Sequence, residues 1–190
     1  MPNRATVGIR GGDCQSVKSY FAYRSVRDLS RLRKIVILVG GNDLARRQDG
    51  VQIPNRSAQE VRQQIEGLIR YVKAVNPQAE VTTLDIIPRK SEGFFNSRAR
   101  CVAAGIGQQT PDHHHISLLK GFIINSRVKS SERYRPKDLF YNGADGTHMN
   151  NIGYEVLSKI MDWILESSRD MGDSTRISVH DHEITVKMKF

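Results

Sequence analysis

The stretch Arg33-Lys34-Ile35-Val36-Ile37-Leu38-Val39-Gly40-Gly41-Asn42-Asp43 (RKIVILVGGND, 33–43) decides the architecture. Five consecutive apolar residues, Ile35 to Val39, leave no polar side for water. The strand they predict is therefore buried on both faces, as in a parallel sheet, and the two glycines stop it in a loop at its carboxyl end.

Parallel neighbours need a crossover of about a dozen residues, and the sequence on the carboxyl side supplies one. Ser57-Ala58-Gln59-Glu60 has the capping-box pattern, in which Ser57 and Glu60 satisfy each other's free backbone donors. Behind it Val61, Ile65, Leu68, Ile69, Val72 and Val75 fall at helical spacing until Asn76-Pro77. Extended structure resumes in "EVTTLDIIP", from Glu80, with β-branched residues and a terminal proline. His113 to Ile124 is a further candidate strand, interrupted at Lys120-Gly121 and followed by a long polar stretch, Asn125 to Lys137. Ile152, Val156, Leu157, Ile160, Met161, Ile164 and Leu165 then mark an amphipathic helix. On the amino side of the deciding stretch, Ala5 to Ile9 predicts a short strand. Ser16 to about Leu32 predicts a helix bearing Val17, Tyr20, Phe21, Val26 and Leu29. The expected class is α/β with a mostly parallel sheet. The last residues alternate Ile184, Val186, Met188 and Phe190 with polar neighbours, which fits either an added strand or a disordered tail over 169–190.

With 190 residues the chain can bury one sizeable core, so one domain over 5–168 is expected. No run approaches the ~20 apolar residues of a membrane span, and residues 1–6 lack the apolar stretch of a signal peptide, so a cytoplasmic setting is expected. The two cysteines, Cys14 and Cys101, form neither a disulfide framework nor a zinc spacing. The net charge of +9 can steer an anionic partner such as nucleic acid. The basic residues are scattered, however, with no aromatic-interleaved stripe, which favours a solvated surface. His113-His114-His115 invites a metal, but neighbouring strand residues face opposite ways and cannot converge on one ion. A solvent-facing run is expected there, with no metal and no cofactor.

Two clusters carry chemistry. Asp145-Gly146-Thr147-His148 sits just before the last predicted helix; a carboxylate three residues before an imidazole can orient the ring and stabilise its protonated form. Read alone it is equally a helix-capping aspartate beside an ordinary histidine. Gly40-Gly41-Asn42-Asp43 ends a buried strand at the sheet edge where open α/β proteins place ligands. There the Asn42 amide can donate to an oxyanion, although the same residues also make a simple Gly-Asn turn.

Taken together, these residues resemble the SGNH hydrolases, the GDSL lipase and esterase family. "ILVGGNDL" is similar to that family's third block, "ADGTHMNNIGYEVL" to its fifth, and "VTTLDIIPR", Val81 to Arg89, to the strand that ends in a proline. The resemblance covers roughly Thr6 to Glu166. It implies a flavodoxin-like three-layer α/β/α sandwich, Asp145 orienting His148 as general base, Asn42 as oxyanion donor, and a small ester or acetylated substrate.

The spacing departs from the family at the amino end. "RGGDC" (10–14) looks like Gly-Asp-Ser with sulfur for oxygen, but only about thirty residues separate Gly12 from Asn42, with room for one helix. That matches the distance from the second block to the third, so Gly12 takes the role of the second-block oxyanion donor. The first block, whose strand presents the serine nucleophile, has no counterpart. The expectation is therefore a truncated hydrolase or a catalytically inactive relative, with no nucleophile in the chain and Cys14 an inert thiol. Similar domains occur in some retrotransposon proteins, which keeps a nucleic-acid-associated binding module as the alternative.

Overall fold

The computed structural model describes residues 12–23, 29–48, 51–90, 93–106, 113–116, 123–128, 131–136, 146–166, 176–180 and 183–187. The buried strand of the deciding stretch is β1 (Lys34–Ile37). It pairs in parallel with β4 (Glu80–Leu84), which pairs in parallel with β5 (His113–Ile116), giving the order β1-β4-β5. Ile35 stands beside Val81, and Val81 beside His113; Ile37 stands beside Thr83, and Thr83 beside His115.

Because side chains alternate, the apolar run of β1 feeds two cores. Ile35, Ile37 and Val39 join Val81 and the helices α1 (Cys14–Tyr23), α3 (Ala58–Val75) and α4 (Gly93–Gly105). Val36 and Leu38 pack with Leu84, Ile116 and the helix α5 (Asn151–Glu166). The molecule is thus a three-layer α/β/α sandwich. Leu68, Ile69, Ile160 and Ile164 are among its most completely buried side chains, and removing each from water is worth roughly 1.5–3 kcal/mol.

Local signals explain the helix ends. Ser57 Oγ accepts from Glu60 N at 3.2 Å while Glu60 Oε2 accepts from Ser57 N at 2.7 Å, the reciprocal pair expected at the start of α3. At its other end Asn76 donates its amide to the carbonyls of Leu29 and Leu32, at 3.0 and 2.7 Å, tying the turn before β1 to this helix. Asp13 begins α1 by accepting from Ser16 N at 2.7 Å and Ser16 Oγ at 2.6 Å. Those two bonds hold its carboxyl below the usual range.

Several expectations are corrected. The first helix is described over Cys14–Tyr23; residues 24–28, which the expected helix also spans, lie outside the described residues. Between Gly41 and Ser57 the chain is not simply a loop: a short helix α2 (Gly41–Leu44) leads into an antiparallel pair, β2 (Ala45–Gln48) and β3 (Val51–Pro54). Between β4 and β5 lies the helix α4, which the sequence reading did not place and whose buried Phe95, Ala99 and Val102 lie at helical spacing. The strand expected over His113 to Ile124 is two strands, β5 and β6 (Ile123–Val128), and the polar stretch after it pairs back as β7 (Ser131–Pro136). Near the carboxyl end β8 (Arg176–His180) and β9 (Glu183–Lys187) pair antiparallel with each other. The strand expected at Ala5 to Ile9 lies outside the described residues. No helix among the described residues is long and apolar enough to cross a membrane.

Candidate active site

Strand β1 delivers its carboxyl end to Gly40, which adopts φ 110°, a conformation that side-chain-bearing residues rarely take. This turn starts α2 and projects Asn42. The Asn42 amide Nδ2 donates to the carbonyl oxygen of Gly12 at 3.0 Å, and Asp43, the next residue, accepts from Cys14 N at 2.9 Å. Two adjacent residues after β1 therefore clamp both ends of the Gly12-Asp13-Cys14 turn. Of the two residues expected to hold an oxyanion, each is half-buried and they are in direct contact.

Asp43 is the buried centre of this arrangement, with a side chain only 1% exposed. Besides Cys14 N, its carboxylate lies 3.8 Å from Arg56 Nε. Gln64, its amide nitrogen turned toward the carboxylate, donates to Asp43 Oδ1 at 2.7 Å and accepts from Arg56 Nε at 3.2 Å. Asn55 donates its side-chain amide to the Asn42 carbonyl at 3.0 Å, and Arg56 N donates to the Asp43 carbonyl at 2.9 Å. The residues after β3 thus brace α2 from outside.

The segment after β4 adds a second brace that sequence reasoning missed. Asn96 of α4 accepts from Arg89 N and donates to Arg89 O, both at 2.7 Å, so one side chain fixes both backbone polar groups of that residue. The Arg89 guanidinium stacks on the Phe95 ring at 4.1 Å and donates to the Gly41 carbonyl at 3.3 Å. Next along, Lys90 N donates to the Gly146 carbonyl at 2.6 Å. Gly146 has φ 57°, and a β-carbon there would come within 3.0 Å of the Lys90 carbonyl oxygen. The turn carrying His148 is therefore seated on Lys90, in the segment that follows β4 and whose Arg89 reaches the Gly41 carbonyl beside Asn42. His148 is exposed, whereas Asp145 lies outside the described residues. The only sequence signal for the Arg89 brace was the aromatic pair Phe94-Phe95 soon after the proline-terminated strand.

Cys14 is 3% exposed, and its thiol pKa is pushed well up, first by burial and then by the neighbouring Asp43 carboxylate. A thiol in that environment is held protonated at neutral pH and is a poor nucleophile.

The histidine run is not solvent-facing, which corrects the expectation. His113 is buried and bonded through Nε2 to Thr83 Oγ1 at 3.0 Å; the same hydroxyl meets His115 Nδ1 at 2.9 Å, and His115 Nε2 meets Asp85 Oδ1 at 2.8 Å. Strand alternation places His113 and His115 on one face, where both rings meet Thr83 Oγ1. The polar partners, contributed by β4 and the residue after it, were invisible in the local sequence. Burial, followed by the nearby His115 and His114, lowers the His113 pKa to about 4. The folded state then binds fewer protons than the unfolded state, whose histidine titrates near pH 6.5. Stability from this group is complete above about pH 6.5 and is lost as pH falls toward about 4. Urea unfolding at pH 7.5 and 4.5 should show a loss of about 2–3 kcal/mol that is absent in His113→Gln.

No family model and no curated protein matches the chain. A solved structure described as that of a candidate platelet activating factor from Streptococcus pneumonia is similar to it, with a TM-score of 0.58 and 18% identity, over 85% of this chain and 72% of the other. A likeness at that identity speaks for the fold alone. The chain thus has the α/β architecture with a parallel sheet, covered on both faces by helices, that is consistent with a flavodoxin-like fold.

Proposed function

We propose that this chain carries the oxyanion and base side of an SGNH-type ester hydrolase site, directed at small esters or acetyl groups, and that Cys14 is not its nucleophile. The observation that carries the reading is the 3.0 Å contact joining Asn42 to Gly12 at the carboxyl end of β1. One amide hydrogen of Asn42 is engaged by the Gly12 carbonyl; the second, with the Gly12 N–H, would meet the oxygen of a tetrahedral intermediate. His148, oriented by Asp145, would take the proton of an attacking hydroxyl and return it to the leaving alcohol. The burial of Cys14 removes the nearest sulfur from that role.

The purified chain should turn over p-nitrophenyl acetate no faster than His148→Ala. Joining a strand-Gly-Asp-Ser-helix segment ahead of Met1 should produce a rate that falls at least about a hundredfold in Asn42→Ala or His148→Ala. A rate in the unextended chain that survives His148→Ala and vanishes in Cys14→Ala would overturn this reading. So would an extended, active chain indifferent to Asn42.

A second reading, an SGNH-fold binding module without turnover, draws on the same sealed thiol and on the engagement of the Asn42 amide by protein. If nucleic acid is its partner, filter retention should weaken steeply with salt; flat retention would exclude that partner.

A further inference from the structure

Basic residues that are scattered along the sequence are gathered at one end of the fold. Strands β1, β4 and β5 are parallel, so their amino ends share an edge, opposite the Asn42–Gly12 contact at the carboxyl end of β1. Helices α1 and α3 run back toward that edge and end at Tyr23 and Val75. The turn into β1 brings Arg31, Arg33 and Lys34, and the last turns of α3 bring Arg70 and Lys73. Lys18 of α1 joins them, its ammonium 5.9 Å from the centre of the Tyr71 ring.

Two of these cations serve the fold. Lys73 Nζ donates to the carbonyls of Pro77 and Ala79 at 2.7 and 2.9 Å, as a cation at a helix carboxyl end does. Lys34 Nζ lies 3.6 Å from the Glu80 carboxylate and donates to the Ile164 carbonyl at 3.4 Å. Lys18, Arg31, Arg33 and Arg70 are exposed, and the segments 14–23, 29–34 and 70–79 that carry them hold no Asp or Glu. Asp162 and Glu166 of α5 belong to the layer on the other face of the sheet.

The arginines are presented from a fixed turn. Asn76 donates to the carbonyls of Leu29 and Leu32, on either side of Arg31, and the Arg33 carbonyl accepts from Glu80 N at 2.9 Å. Like charges held together repel, which a bound polyanion relieves. Guanidinium groups match phosphate oxygens in pairs. Tyr23, at the end of α1, is 89% exposed and offers a ring face to an unpaired base. A bilayer would be met by aliphatic side chains, of which this end exposes Leu32 among the described residues.

We propose that the amino end of the sheet, on the side of α1 and α3, is a docking surface for single-stranded nucleic acid, with Lys18, Arg31, Arg33 and Arg70 on phosphates and Tyr23 under a base. The inference rests on the nucleic-acid form of the second reading above and not on the oxyanion pair, which lies at the other end of the sheet.

Fluorescence anisotropy of a labelled oligothymidylate of about twenty nucleotides, titrated with the full chain across salt concentrations, tests it. With four phosphate contacts, the logarithm of the binding constant should fall with log salt at a slope of about −3. Arg31→Gln/Arg70→Gln should weaken binding at least about tenfold at about 0.1 M salt and make the slope shallower by about 1.4. Lys159→Glu, which makes the same change in net charge on α5, should stay within about twofold of the unsubstituted chain. Tyr23→Ala should weaken binding at least about fivefold with the slope unchanged. Binding that Arg31→Gln/Arg70→Gln leaves intact, or that Lys159→Glu weakens equally, would overturn this surface and leave the nucleic-acid reading standing. Indifference to Tyr23→Ala, or tighter binding to phosphatidylserine–phosphatidylcholine vesicles than to the oligonucleotide, would overturn the choice of partner. No binding by the unsubstituted chain would overturn both the surface and that reading. Thermal unfolding of each variant confirms its fold, and the single variants Arg31→Gln and Arg70→Gln decide if the double one is unstable.

Discussion

Asp43→Ala should destabilise the chain by about 4 kcal/mol in urea unfolding, because it empties the centre of a buried charge network. The carboxylate answers the Cys14 N–H, the Gln64 amide and the Arg56 guanidinium at once. After the substitution the Cys14 N–H is left without that acceptor in a buried position, and a cation loses its counter-charge; the first costs about 1–3 kcal/mol and the second adds to it. Arg56 is partly exposed, with 40% of its side chain accessible, so water compensates some of its loss. The double variant Asp43→Ala/Arg56→Ala should therefore recover only a minor share, and the remaining loss measures the orphaned amide and Gln64. A loss below about 1 kcal/mol would mean that the network is replaced by solvent and does not hold the Gly12 turn.

Gly40→Val should cost about as much, about 4 kcal/mol, by a different route. At φ 110° a β-branched residue is strained wherever it has room, and here there is none. A β-carbon would stand 2.8 Å from Ile86 Cδ1 and 3.2 Å from Val61 Cγ1, both in the core under α3. The backbone has to turn back toward ordinary φ, which moves Gly41 away from the Arg89 guanidinium and Asn42 away from Gly12. Thermal unfolding reports the strain. Loss of hydrogen-exchange protection at Asn55 and Arg56, whose amides bond to Leu44 and Asp43, reports displacement of α2. Wild-type protection at both amides would show that the turn absorbs the side chain locally.

The elements that sequence reading recovered are those whose partners lie within their own periodicity. Ile35 to Val39 announce a strand with two buried faces. Ser57 and Glu60 announce a helix start, and Val156, Leu157, Ile160 and Ile164 announce the stripe of α5. Helix α4 was missed because its inward positions include the small Ala99 and its flanks are polar and glycine-bearing, so its stripe is faint beside Asn96, Ser97 and Arg98. The pair β6–β7 was missed because Asn125 to Lys137 is polar, and strand pairing between backbones leaves little trace in such composition. The candidate site was legible as residue types, since Gly12, Asn42 and His148 stood out. Its braces were not, because Arg89, Asn96 and Asp43 act on groups far along the chain. The buried histidines were misjudged for the same reason: Thr83 and Asp85 lie about thirty residues before them.

The division of the core between the two faces of the sheet also sets an order of completion during synthesis. The face covered by α1, α3 and α4 draws its buried residues from Cys14 to Ile106. The opposite face needs Met149, Val156, Leu157, Ile160 and Ile164 before Val36, Leu38, Leu84 and Ile87 are covered. Among the described residues, the helices that cover the first face are therefore synthesised before α5, which covers the second. The same helix follows the turn whose Gly146 carbonyl accepts from Lys90 N, so one stretch of chain both covers this face and seats the turn that carries His148.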